Sequence, residues 1–131
     1  MLEQMQNHNC NPKLLSPLTL AFIGDGVYGM LVRERLVLIN RPVGALHKKS
    51  VELVNAHAQS LAIQKIMDML TEDEIAIYKR GRNANSVRHP KNSDLTEYRM
   101  ATGLEALFGY LYLSNNQTRL YELFNMIFTE E

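Results

Sequence analysis

The chain has 131 residues and sets 14 Lys and Arg against 14 Asp and Glu, for a formal net charge of zero. That length suits one domain able to bury a core without disulfides or metals, and the balanced charge excludes a partner selected by bulk electrostatics, so only local charge can point to one. One cysteine, no apolar run of membrane-spanning length and no signal-peptide pattern at the start lead to the expectation of a reducing, cytoplasmic setting without membrane contact.

Residues 1–13 are rich in Asn, Gln and His and read as a flexible tail, with one domain over 14–131. Cys10 sits in that tail and reads as a spare thiol. Ser16 then Pro17 reads as an N-cap followed by a first-turn proline. Leu18, Ala21, Phe22, Asp25, Tyr28 and Val32 follow at helical spacing, to about Leu38, and Asn40-Arg41-Pro42 breaks the helix. This stretch contains Gly24-Asp25-Gly26-Val27-Tyr28-Gly29, a literal G-x-G-x-x-G. A nucleotide-binding reading needs a strand before it and a βαβ unit around it, and the chain offers neither. The glycines are better explained by close approach of another backbone, such as a partner helix.

Val43, Leu46, Val51, Val54, Ala58, Leu61, Ile66 and Leu70 form the next apolar stripe, on one long helix or two with a break. His47, Lys48 and Lys49 near its start form a small basic cluster. This is a solvated face or a phosphate contact. His47 and His57 do not share a helix face and are not a metal pair. Thr71-Glu72-Asp73-Glu74 reads as a capping box opening a short helix that ends near Arg80-Gly81, with Gly81 as C-cap.

From Lys79 to Asn92 the chain carries Lys79, Arg80, Arg82, Arg88 and Lys91, no acid and almost nothing apolar. A one-sided basic loop in a neutral chain is a footprint for phosphate. Asn83, Asn85 and Asn92 can add contacts to phosphate, sugar or base edges. Ser93 or Asp94 caps the next helix, which carries Tyr98, Ala101, Thr102, Glu105, Phe108, Gly109 and Tyr112 on one face and stops at Asn115-Asn116. A last amphipathic helix spans about Thr118 to Phe128. The expected fold class is therefore all-α.

Asp25 and Glu105 are the chemical centre of this reading. Each is an acid set among apolar neighbours, and an acid in a dry seam must be paired, protonated or bound to a cation. Packing the two helices through these faces brings the acids together. Mg²⁺ suits such a site, because it takes oxygen ligands and keeps several waters. A metal-activated water beside a phosphate-gripping loop is what phosphodiester hydrolysis requires.

These residues resemble a known family. Ala21-Phe22-Ile23-Gly24-Asp25-Gly26 is similar to the signature helix of ribonuclease III, and Thr102-Gly103-Leu104-Glu105-Ala106-Leu107-Phe108-Gly109 to its second acidic helix. Leu46-His47, Ala56 with Ala58-Gln59, Arg80-Gly81-Arg82-Asn83, Pro90-Lys91-Asn92, Tyr98-Arg99 and Gly109-Tyr110-Leu111-Tyr112-Leu113 resemble the Mini-ribonuclease III subfamily, which has no double-stranded-RNA-binding domain. The resemblance implies an all-α ribonuclease III endonuclease-domain bundle that forms a homodimer through the signature helix. It implies cleavage of double-stranded RNA with Mg²⁺, Mn²⁺ able to substitute, leaving 5′-phosphate and 3′-hydroxyl ends. Asp25 and Glu105 match the family's metal-binding, catalytic acids. The larger enzymes carry further acids where this chain has Leu18, Ala21 and Thr102, a thinner set that the Mini form shares. The implied task is maturation of the 23S ribosomal RNA precursor, which leaves room for a ribosomal protein that presents the RNA. His47, Lys48 and the Lys79–Asn92 loop are then the RNA contacts. The alternative is a non-catalytic RNA- or ribosome-binding module on the same fold.

Overall fold

The structure is a computed structural model that describes residues 11–84 and 94–129. Among these residues it is helical throughout, without a strand. The six helices are α1 (Pro17–Val37), α2 (Val43–Val54), α3 (Ala56–Ile66), α4 (Glu72–Asn83), α5 (Leu95–Leu113) and α6 (Gln117–Ile127), with 3-10 turns at Pro12–Leu14 and Met67–Met69.

The caps follow local chemistry. Ser16 accepts from the Thr19 amide ahead of Pro17, Asn55 from Ala58, Asp94 from Glu97 and Asn116 from Arg119. Thr71 and Glu74 form both halves of the capping box. Each oxygen satisfies an amide that the helix geometry leaves without an internal partner. Asn55 divides the second apolar stripe into two helices. The break changes the phase: Val43, Val51 and Leu61 are exposed, and the buried side of α3 is Gln59, Ala62, Ile63 and Ile66.

α5 is the central element, packed on α1, α3 and α4. Its buried residues Leu104, Leu107, Phe108 and Leu111 join Tyr28, Leu31 and Val32 of α1, Ile63 and Ile66 of α3, and Leu123 and Phe124 of α6 in one core. Tyr28 meets Phe108 and Phe124 edge-on, with ring centroids 5.1 and 5.8 Å apart. The face of α1 differs from the sequence expectation. Leu20, Ala21, Gly24, Tyr28, Leu31 and Val32 are buried, whereas Leu18 is 40% and Phe22 is 83% exposed.

The α1–α5 crossing is made backbone to backbone. A β-carbon on Gly24 would stand 1.7 Å from the Glu105 carbonyl oxygen, and one on Gly109 would stand 2.0 Å from the Leu20 carbonyl oxygen. The close approach expected of the glycines is thus made within the chain at Gly24, while Gly26 has open space around it. Gly81 is not a C-cap. The helix continues to Asn83, and Gly81 is buried against Thr102, Gly103 and Ala106 of α5.

The ends are tied by charge. Arg119 of α6 makes a bidentate bond to Glu74 of α4, both contacts 2.8 Å, and donates to the Met69 carbonyl at 2.7 Å. Burial alone would push the Glu74 carboxyl up. The Arg119 guanidinium and the Thr71 amide outweigh it and hold the carboxyl below its ordinary range. Pro12–Leu14, at the end of the stretch read as a tail, is a turn anchored by Lys13 to Asp73 at 3.0 Å. Residues 1–10 lie outside the described residues.

Gly24→Ala is expected to destabilise the protein by at least the ~1–3 kcal/mol of ordinary overpacking, because backbone rather than a movable side chain blocks the new methyl. Gly26→Ala is expected to be neutral or stabilising by up to ~1 kcal/mol through helix propensity. Urea unfolding of the two variants beside the parent measures both; equal loss in the two would refute the crossing.

Candidate active site

The α1–α5 crossing sets the position of two acids. Asp25 follows Gly24 on α1, and Glu105 supplies the very carbonyl that Gly24 touches on α5. The two side chains meet: the Glu105 carboxyl lies beside that of Asp25, within reach of a hydrogen bond. The sequence expected both acids in an apolar seam. Asp25 instead lies exposed at the rim, and only Glu105 is partly buried. The reason is helix phase: Asp25 is flanked by exposed Phe22 and Gly26, while the core side of α1 passes through Ala21, Gly24 and Tyr28.

Burial, then the hydrogen bond and negative charge of Asp25, push the Glu105 carboxyl from 4.5 to about 8. The Gln59 amide of α3 lies beside the same carboxyl and works against the rise. Gln59 is 2% exposed, and its Nε2 has no hydrogen-bond partner. The residue appeared in the sequence only as part of a subfamily motif. Its signal was there: it occupies the core register of α3, three, four and seven positions before Ala62, Ile63 and Ile66.

Opposed carboxylates, one held protonated near neutrality, fit a hard divalent cation, which can replace the proton and relieve the repulsion. The donors are two. Among the described residues no group of three or more His, Cys, Asp or Glu gathers to hold a metal. Ala21 and Thr102, where the larger ribonuclease III enzymes carry acids, are buried, and the Thr102 hydroxyl donates to the Tyr98 carbonyl at 3.0 Å.

The basic residues have different fates. Lys79 and Asn83 are exposed on α4. Arg82 lies over the Tyr78 ring at 5.7 Å and donates to Asn83 Oδ1 at 3.1 Å. Arg80 is engaged by the fold: its two terminal nitrogens donate to the carbonyls of Lys13 and Leu15 at 3.1 and 3.0 Å. Asn85, Arg88, Lys91 and Asn92 lie outside the described residues. His47 and Lys48 are exposed on α2. His47 lines a cavity of about 240 Å³ with Arg33 and Ser50, and Arg33 stands about 12 Å along α1 from Asp25 at 1.5 Å per residue. These two sites are therefore separate patches rather than one cluster.

A helical bundle with paired acids at the crossing of its two central helices is the architecture of a ribonuclease III catalytic domain. Residues 18–116 match the family model described as "Ribonuclease III domain". Relatives described as Mini-ribonuclease 3 include those of Thermoanaerobacter sp., 50% identical over 81% of this chain and 75% of the relative, and Clostridium tetani, 44% identical over 88% and 78%. The Staphylococcus aureus relative is 40% identical over 98% and 96%. A crystal structure of a Fusobacterium nucleatum protein superimposes with a TM-score of 0.80 at 33% identity, covering 86% of this chain and 93% of that one. The chain belongs to the ribonuclease III family, in its Mini-ribonuclease III branch, and is an endoribonuclease.

The Glu105 shift sets a sign for stability. An unfolded Glu releases its proton near 4.5 and the folded Glu105 near about 8, so between these values the folded state binds more protons. In chelator, the protein is therefore expected to lose stability as pH rises from about 4.5 to about 8, and Glu105→Gln to remove that part of the slope. Thermal unfolding of both proteins across this range measures the difference. A divalent cation is expected to raise the parent's Tm more at pH 8 than at pH 6; equal effects would contradict cation–proton competition.

Proposed function

We propose that the chain is a divalent-metal-dependent endonuclease of double-stranded RNA, with residues 14–131 as its catalytic domain and the 23S ribosomal RNA precursor as its substrate. The observation that carries the reading is the Asp25–Glu105 pair at the α1–α5 crossing. Asp25 and Glu105 would hold the cation, Mg²⁺ or Mn²⁺. When bound, the cation supplies an activated water and neutralises charge at the phosphate. Hydrolysis with the 3′ oxygen as leaving group yields a 3′-hydroxyl and a 5′-phosphate.

The protein's own groups divide the work. Glu105, rooted in α5 and partly buried, is a fixed anchor whose proton must leave when the site is loaded. Asp25, at the exposed rim, is the acid that a duplex on the surface can approach. Lys79, Arg82 and Asn83 are proposed RNA contacts, together with Asn85, Arg88, Lys91 and Asn92 of the basic loop. His47 and Lys48 form a second proposed contact further along the molecule. Arg80 is given a mainly structural part, because its guanidinium already holds the carbonyls of Lys13 and Leu15.

Asp25→Asn and Glu105→Gln are each expected to lower duplex cleavage at least ~100-fold, the scale of losing a group that acts in the transition state, with duplex binding retained. Arg82→Ala is expected to weaken binding and to reduce the slope of log affinity against log salt by about 0.9, one phosphate contact. Gel assays of cleavage, with and without chelator, and of binding across salt test both. Tight binding without cutting in the parent would favour the binding-module alternative.

The homodimer is part of the same proposal. Phe22 is 83% and Met30 is 65% exposed on α1. Beside them an apolar groove of about 320 Å³ is lined by Ile23, Gly26, Val27, Met30 and Leu120. A two-fold contact along α1 would seat each Phe22 against the partner subunit and place the two acidic sites on one duplex. Phe22→Glu is expected to give a folded monomer in sedimentation with greatly reduced cleavage. A variant that still sediments as a dimer would remove α1 from the interface.

A further inference from the structure

Gln59 is a costly residue at its position. The other buried residues of α3 are Ala62, Ile63, Ile66 and Ser60, whose hydroxyl is satisfied by the His57 carbonyl, so an apolar side chain at position 59 would satisfy the packing. The residue is 2% exposed, yet its Nε2 finds no acceptor within hydrogen-bond distance. A buried donor left unpaired costs free energy that a methylene or methyl group would not. The other such atom among the described residues, the Tyr28 hydroxyl oxygen, belongs to a ring packed edge-on against Phe108 and Phe124. The Gln59 amide instead lies beside a carboxyl of the acidic pair.

We propose that Gln59 is a positioning residue of the acidic site, whose buried N–H₂ group donates to the Glu105 carboxylate in the loaded site and holds it facing Asp25. The inference rests on the reading of Asp25 and Glu105 as the cation-holding pair. A carboxylate has acceptor sites to spare beyond those that a cation occupies, and the buried amide beside it is a neutral donor that does not compete with the cation for the site. A neutral amide is the appropriate partner. A Lys or Arg at this position would neutralise Glu105 and weaken its hold on a cation, whereas a Gln orients the carboxylate and leaves its charge intact. In a site with only two acids, fixing the orientation of one of them replaces constraint that further ligands would have supplied.

The test compares the parent with Gln59→Met, Gln59→Leu and Asp25→Asn. Met has the length of Gln without its donors, and Leu is a second apolar replacement should Met repack. Three measurements are made: Tm in chelator, the Mn²⁺ concentration giving half of the maximal Tm rise without RNA, and the kinetics (kcat and KM) on a duplex substrate. In both apolar variants the Tm in chelator is expected to equal or exceed that of the parent. The half-effective Mn²⁺ concentration should rise and kcat fall ~10-fold or more, the range seen when groups supporting a metal ligand are lost. KM for the duplex should be little changed. Parent-like Mn²⁺ response and kcat in both variants, alongside an inactive Asp25→Asn, would overturn the role of Gln59 and leave the acidic site standing. A fall in Tm that accounts for the lost activity would make Gln59 a packing residue and overturn the role equally. An active Asp25→Asn would refute the acidic-site reading itself, and the inference with it.

Discussion

The structure depends on one close contact, the crossing of α1 and α5 at Gly24 and Gly109. Two helices ordinarily pack 8–10 Å apart, the distance their side chains impose. Here the missing β-carbons let carbonyl oxygens of one helix touch the other. The crossing costs helix propensity at both positions, and burial of Leu20, Tyr28, Leu104, Leu107 and Phe108 around it offsets that cost. Asp25 is the next residue after one contact point and Glu105 provides the other. The geometry of the acidic pair is therefore set by backbone, the stiffest part of the molecule, rather than by flexible side chains reaching from a distance.

That rigidity matters because the site holds a repulsion. Glu105 is partly buried against a second acid, and its proton persists to about pH 8. A folded protein tolerates this only where the surrounding packing overdetermines the arrangement. In the proposed reading a cation would relieve that repulsion, which would link stability and ligand binding through one proton. Gln59 fits this picture as a buried donor beside the Glu105 carboxyl. Asp25 and Glu105 are unequal partners: one at the rim, open to a substrate, and one anchored in the central helix.

The surface around the site sorts into regions with different physics. The outer side of α1 exposes Phe22 and Met30 beside an apolar groove, a composition that favours contact with another protein surface. The end of α4 and the first half of α2 carry exposed cations. Not every cation is available: Arg119 is committed to the buried Glu74, and Arg80 to the N-terminal turn. Charge counted along a sequence overstates what a surface offers, because guanidinium groups are also the strongest donors for tying elements together.

Much was legible in the residues themselves. The caps at Ser16, Thr71 and Asp94 and the helical periods on either side of them are local facts, decided by hydrogen bonds that reach three or four residues. The all-α class followed from them, and the two acids stood out by their apolar neighbours. The family resemblance rested on contiguous motifs around Asp25 and Glu105 and was equally local. The phase of each helix against its neighbours was not legible. The same apolar residues on α1 serve a core and an outer surface, so periodicity alone placed Phe22 inside, and a single break at Asn55 rotated the stripe expected from Val43 to Leu70. Gly81 looked like a terminator because a glycine's local preference and its use in tight packing leave the same letter. Sequence by itself determined the elements, the acids and the family, because these depend on near neighbours along the chain. Tertiary structure alone decided that Gly24 meets Glu105 and Gln59 lies beside its carboxyl, and that Arg80 is already occupied. Each of these joins residues far apart in sequence, and only the packed core sets such distances.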